Sequence, residues 1–164
     1  MNYATVDDMV KRFGELELIQ LTDDENIPPS VIDIPFVEVK LADAQSFVDG
    51  YVGQVYRLPL TGCVKFVAGG AQEYVPPPVL TRLTCDLARY YLYDDLAPEA
   101  EVYRRYQAAV KELDAIANGK AQLACPWGGS PGQPLTADAQ SGDEVQTVSS
   151  FRRGITDDDL RGFA

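Results

Sequence analysis

The reactive side chains that cluster most closely in this sequence are carboxylates and phenols. Asp94 and Asp95 follow directly on Tyr90, Tyr91 and Tyr93, a grouping that could act as an acid-base pair or bind a divalent cation. Adjacent residues on a helix point in different directions, however, so the two carboxylates would not converge on one substrate atom. The chain also has no histidine, the usual general base and the commonest metal ligand. We therefore expect no enzyme, no cofactor and no metal site.

The three cysteines, Cys63, Cys85 and Cys125, are odd in number and widely spaced. This pattern predicts neither a disulfide framework nor a CxxC redox or zinc site, and it favours a reducing cytosol. Cys85 falls within a helical pattern, where a free cysteine is most simply a small buried hydrophobic residue.

The charge of the chain argues against nucleic-acid binding. A length of 164 residues suits one domain, and the net charge is -11. Residues 1–119 hold 19 acidic and 10 basic side chains, so no basic stripe is available to wrap phosphates. The doublets Arg104-Arg105 and Arg152-Arg153 are explained equally well by salt bridges. No apolar run approaches the length of a membrane span, and the N-terminus lacks the features of a secretory signal.

Apolar residues at steps of three and four predict an antiparallel helical bundle. Thr5 and Gly14 bracket a short first helix, and further helices begin near Pro35, after the prolines at 76–78, and at Pro98. Gly50 lies inside the second long pattern, and we expect a neighbouring helix to approach it closely. The residues expected to be buried are Leu41, Val48, Leu83, Leu87, Tyr106 and Leu113.

A β-hairpin insertion is predicted at about residues 61–75. Apolar, β-branched and aromatic runs at 63–67 and 72–75 flank Gly69-Gly70, which is a turn signal. A lone hairpin is marginal in water. We expect it to project from the helices and to contact another protein subunit through Phe66 and Tyr74.

Composition changes after residue 119, where Gly, Pro, Ser and Gln become frequent. Such a segment buries little apolar surface, so we divide the chain into a helical domain, 1–119, and a flexible arm, 120–164. The end of the arm regains apolar character, which predicts a docking peptide that becomes ordered on assembly. Its expected anchors are Phe151, Ile155, Leu160 and Phe163.

Several of these segments together resemble one protein family. They are residues 41–51 (LADAQSFVDGY), Leu58-Pro59-Leu60 and residues 79–95 (VLTRLTCDLARYYLYDD), with additional matches at 13–23 and 156–163. The chain resembles the Mu-like phage neck proteins, the head-to-tail connector (adaptor) family. The likeness covers most of residues 1–119 and the last dozen residues, while the hairpin region departs from the family, which has a shorter connection there.

The resemblance implies a structural protein of the virion neck, assembled in the bacterial cytoplasm. Subunits of this kind form a ring, a dodecamer matched to the portal, and they contact the portal protein and the next neck or tail protein, a stopper or tail terminator. The genome would pass through the lumen without specific binding, and an acidic surface would keep DNA from sticking.

Two other function classes stay open at this stage. An acidic monomer could mimic DNA and inhibit a nucleic-acid enzyme, a reading that rests on charge alone. A small enzyme would require a ligand-sized pocket lined by Asp86, Tyr90 and Asp94.

Overall fold

The fold is a small helical bundle with one hairpin, as the computed structural model shows for residues 1–93 and 100–135. The elements in these ranges are α1 (Val6–Phe13), α2 (Glu15–Thr22), α3 (Ile34–Val52), β1 (Cys63–Phe66), β2 (Gln72–Val75), α4 (Pro78–Leu92) and α5 (Glu101–Ala117). The predicted class, mainly α with a small β-hairpin, is confirmed.

Local capping signals set where the first helices begin. The Thr5 backbone N–H donates to the Asp8 carboxylate at 3.0 Å, and the Asp8 N–H donates to the Thr5 hydroxyl at 3.3 Å, which is the predicted capping box. Gly14 ends α1 with φ at 91°, a conformation that favours glycine. The Asp33 side chain caps α3 by accepting from the Phe36 N–H at 3.1 Å.

The core forms where α3, α4 and α5 pack together. Five of the six residues expected to be buried, Leu41, Val48, Leu83, Leu87 and Leu113, lie in this core. Tyr106 is only partly buried, because its ring stacks on that of Tyr90, which is itself half-exposed, with centroids 4.0 Å apart. The expectation of full burial is wrong for this residue.

Gly50 was expected to allow the close approach of a neighbouring helix, and this expectation is wrong. It is exposed, and a Cβ atom placed there would meet no atom within 4 Å, so no helix approaches it closely. Tight approaches occur at other glycines, such as Gly132, where a Cβ would lie 2.6 Å from Leu60 Cδ2.

Residues 120–135 form an ordered segment that we call the strap. The expectation that the chain beyond Lys120 buries little apolar surface is wrong for this segment, because Leu123 and Cys125 are buried. Backbone hydrogen bonds to residues 55–62 replace helical ones: Leu135 donates to Val55 at 2.7 Å and Gly62 donates to Pro131 at 2.9 Å. The rest of the predicted arm, 136–164, lies outside the described residues.

The strap also corrects the expectation about cysteines. Cys63 in β1 is disulfide-bonded to Cys125 in the strap, with Cα atoms 5.4 Å apart, while Cys85 is free and buried as predicted. The sequence offered no sign of this bond because 62 residues separate the partners, and only the return of the strap brings them together. The cysteines therefore no longer argue for a reducing cytosol.

Candidate assembly surfaces

The hairpin presents two faces with different surroundings. Val64 pairs with Tyr74, and Phe66 pairs with Gln72. Since side chains alternate along a strand and paired residues share a face, Phe66 and Tyr74 lie on one face of the hairpin. They are 66% and 59% exposed, so this face, which together with Val67 we call the hairpin surface, is available to a partner.

The opposite face of the hairpin is attached to the body. Cys63 is fully buried in its bond to Cys125, and Lys65 Nζ lies 5.8 Å from the centroid of the Trp127 ring, within cation–π range. These two contacts to the strap fix the orientation of the hairpin. The aromatic pair on the free face therefore points in a defined direction.

A second exposed apolar surface, the loop surface, spans the α2–α3 loop and the start of α3. Its members are large apolar side chains with 39% to 98% of their area exposed, namely Ile27, Val31, Ile34, Phe36 and Val39. Ile27 is the extreme case at 98%, and Pro28-Pro29 follow it. Five exposed large apolar side chains within thirteen residues make this segment a candidate interaction site.

Asp23 gives the loop a fixed shape. Its carboxylate accepts hydrogen bonds from the N–H groups of Ser30 at 2.7 Å, Val31 at 3.0 Å and Asn26 at 3.1 Å. The amides of Ser30 and Val31 hold the pKa of this carboxyl well below its usual range, because they stabilise its charged form. The tip of the loop, including Ile27, is thus shaped before any partner arrives.

The two surfaces lie towards opposite ends of α4. Helix α1 runs alongside α4 in the same direction, since Thr5 and Pro78 line one pocket while the Phe13 ring lies 4.5 Å from Arg89 Cζ. Glu17 in α2 accepts hydrogen bonds from Arg89 at 2.6 and 2.9 Å. The loop that follows α2 therefore lies near the C-terminal end of α4, whereas the hairpin leads into its N-terminal end. With 15 residues, α4 is about 22 Å long.

An aromatic groove lies beside the C-terminal half of α4. It has a volume of about 630 Å³. The side of α4 contributes three tyrosines, Tyr90, Tyr91 and Tyr93, and the side of α3 contributes Lys40, Asp43, Ser46 and Phe47. Burial raises the pKa of Tyr91, so its hydroxyl keeps its proton at neutral pH. We call this site the tyrosine groove.

Asp86 is 7% exposed in α4 and has arginines as its nearest charges. Arg82 and Arg105 approach its carboxylate at 3.8 and 3.9 Å. Burial raises the pKa of Asp86 although these arginines lower it. The enzyme alternative required one pocket lined by Asp86, Tyr90 and Asp94. Tyr90 lines the tyrosine groove but Asp86 does not, so the geometry gives Asp86 a structural role. Asp94 lies outside the described residues.

Metal-ligand clusters and thiols were the remaining candidates for chemistry in the described residues. Within residues 1–93 and 100–135, no three His, Cys, Asp or Glu side chains are grouped to hold a metal ion. Burial raises the pKa of the Cys85 thiol to about 12, which leaves it protonated and inert. Among the helices described, none combines the length and apolar character needed to cross a bilayer.

Sequence reasoning placed some of these residues and missed others. Phe66 and Tyr74 are on the free face of the hairpin, and their contact with another subunit stays a prediction. The predicted arm anchors, Phe151, Ile155, Leu160 and Phe163, lie outside the described residues. The exposed Ile27 and the groove residue Lys40 were not singled out, because the exposure of one apolar or basic side chain has no local signature in the sequence.

Comparison with known proteins assigns the chain to a phage family. The family model of bacteriophage Mu Gp36 matches residues 3–142. Gene product J of Escherichia phage Mu is 30% identical over 151 residues, which cover 92% of this chain and 91% of that protein. The Mu-like prophage FluMu protein gp36 of Haemophilus influenzae is 26% identical over 149 residues, 90% of each chain. The chain belongs to the bacteriophage Mu Gp36 family.

Proposed function

We propose that this protein is a structural subunit of the phage neck, a head-to-tail connector that forms a ring below the portal. It acts in the virion, is assembled in the bacterial cytoplasm, and provides a passage for the genome and a platform for the tail. The ring is a dodecamer by resemblance to the neck-protein family.

The observation that carries the proposal is the pair of exposed apolar surfaces at opposite ends of α4. A ring needs heterologous contacts, in which different surfaces of one subunit meet those of its neighbours. The hairpin surface and the loop surface have different shapes and compositions, so they suit different partners. A solitary enzyme or inhibitor has no need of two such surfaces.

The charge of the body supports the passage of DNA. The excess of acidic over basic side chains in residues 1–119 is nine, from 19 and 10. An acidic wall repels the duplex and keeps it mobile. The genome is thus a passing partner, and the contacts that hold the subunit are with protein.

We assign the hairpin surface and the end of the arm to contacts with neighbouring proteins of the neck. The hairpin surface contacts either a neighbouring copy or an adjoining ring. Two rings adjoin the connector: the portal on one side, and the stopper or tail terminator on the other. The anchors Phe151, Ile155, Leu160 and Phe163 serve a docking role at the end of the arm, as the sequence predicted.

Mixing the full-length chain with portal rings of its own phage tests the proposal. We expect the chain to co-sediment with the portal and to add one closed layer of density in negative-stain electron microscopy. A variant with Phe66→Ser and Tyr74→Ser should reduce this binding or the recruitment of the next neck protein, and Leu16→Ser, on a side chain 76% exposed in α2, is the matched control. Absence of any layer on the portal would contradict the proposal.

A further inference from the structure

We propose that the α2–α3 loop of one subunit inserts Ile27 and the following prolines into the tyrosine groove of the next copy of the same chain. This contact rests on the proposed function and specifies its lateral interface. Ile27 is 98% exposed, so the loop does not occupy the groove of its own subunit. The occupant is therefore exposed, and within residues 1–93 and 100–135 the groove stays open.

The chemistry of the loop matches the groove. Aromatic rings offer large apolar faces on which aliphatic and proline side chains can pack. Pro28 and Pro29 follow Ile27 in the exposed loop, and Tyr90 and Tyr91 are among the residues that line the groove. The volume of about 630 Å³ is sufficient for several side chains of that size.

Charge complementarity selects the same pairing. Lys40 in the groove has no ion pair among residues 1–93 and 100–135, and its Nζ lies 5.2 Å from the centroid of the Phe36 ring. Asp24 and Glu25, directly before Ile27, also have no ion pair in that part of the chain. The groove also contains Asp43, so an acidic loop would be attracted by Lys40, the one basic residue in the described lining.

The loop is also prepared for binding. The Asp23 carboxylate holds the amides of Ser30 and Val31, and the Asp33 N–H donates to Thr22 Oγ1 at 3.1 Å. Both ends of the loop are thus fixed, so docking requires little further ordering of the backbone. Loop and groove both lie towards the C-terminal end of α4.

Photo-crosslinking between isotopically distinct chains tests this contact. Full-length chain with a benzophenone amino acid at position 27 is mixed with ¹⁵N-labelled wild type, assembled on portal rings and irradiated. We expect crosslinks between unlabelled and labelled chains that map to peptides containing Lys40 to Phe47 or Tyr90 to Tyr93. The same probe at position 66, at the other end of α4, should give none in those peptides.

Crosslinks from position 27 that fall elsewhere, or only within one chain, would overturn the inference. If closed rings still form in that case, the connector function stands and only the loop contact is wrong. If neither rings nor links between chains form, both are wrong.

Charge reversal gives an independent readout. Lys40→Glu alone, or Asp24→Lys with Glu25→Lys, should each raise the concentration needed for ring formation about tenfold or more. Mixing the two variants should restore assembly, because each lysine loop then meets a glutamate groove and each acidic loop meets Lys40. Lys111→Glu, an equal charge change on α5, is the control. Failure of the mixture to recover, with each variant unfolding like wild type, would contradict the pairing.

Discussion

Cys63, the first residue of β1, is bonded to Cys125 of the strap, and this link joins two segments that the chain order keeps far apart. The strap is in turn hydrogen-bonded to residues 55–62 through Arg57 and Gly62, which meet Gln133 and Pro131 at 2.8 and 2.9 Å. The hairpin therefore has a covalent and a hydrogen-bonded attachment at its base. Its free face, with Phe66 and Tyr74, is held at a fixed angle to the helices.

Reducing the disulfide should lower the free energy of unfolding by about 2 to 4 kcal/mol, because the bond closes a long loop of the unfolded chain. Urea unfolding with and without reductant measures the loss, and a thiol count confirms that reduction is complete. The variant with Cys63→Ser and Cys125→Ser should be insensitive to reductant. Identical unfolding curves for oxidised and fully reduced wild type would show that the bond adds nothing to stability.

Leu87 occupies the centre of the core and is fully buried in α4. Its replacement by alanine leaves a cavity, so Leu87→Ala should cost about 2 to 5 kcal/mol of unfolding free energy. Leu16→Ala, on an exposed leucine, should change it by less than about 0.5 kcal/mol. Urea denaturation of both variants decides the matter; equal small effects would mean that this face of α4 is not the core.

The hairpin surface should matter for assembly and not for folding. Phe66→Ser combined with Tyr74→Ser removes two exposed aromatic side chains, and we expect the unfolding free energy to change by about 0.5 kcal/mol or less. Yield of portal-bound rings, or of particles that recruit the next neck protein, should fall. A large loss of thermal stability in this variant would place the aromatic pair in the folded core of the free subunit instead.

Asp86 should make stability depend on pH with a defined sign. Burial raises its folded pKa above the unfolded value, so its contribution is fully present below the unfolded pKa, about 3.9, and is lost as pH rises through the folded pKa. As pH rises from the unfolded pKa through the folded pKa of Asp86, the unfolding free energy of wild type should therefore fall relative to that of Asp86→Asn. Urea midpoints of both proteins across that range provide the comparison, and a difference that is constant or grows in the opposite direction would refute the assignment.

The helices were predictable because their signals are local. The cap at Thr5, the turn at Gly14 and the three-and-four spacing of Leu83 and Leu87 all act within a few residues. The hairpin was predictable for the same reason, since Gly69 and Gly70 have φ angles of 91° and 79° in its turn.

The strap and the loop surface were not predictable from local patterns. A Gly- and Pro-rich composition indicates a segment that cannot form a helix, but Leu123 is buried through contact with Tyr56, whose hydroxyl accepts from its N–H at 3.0 Å. That contact spans 67 residues and the disulfide spans 62, so neither has a local signature. Likewise Ile27 stands out only once its exposure is known.

Cryo-electron microscopy of the neck in intact particles tests the connector function most directly. We expect a closed ring built from copies of this chain between the portal and the first tail-side protein, with acidic side chains of residues 1–119 around the lumen. A neck map in which this chain is absent, or occurs only as isolated copies away from the DNA passage, would contradict it.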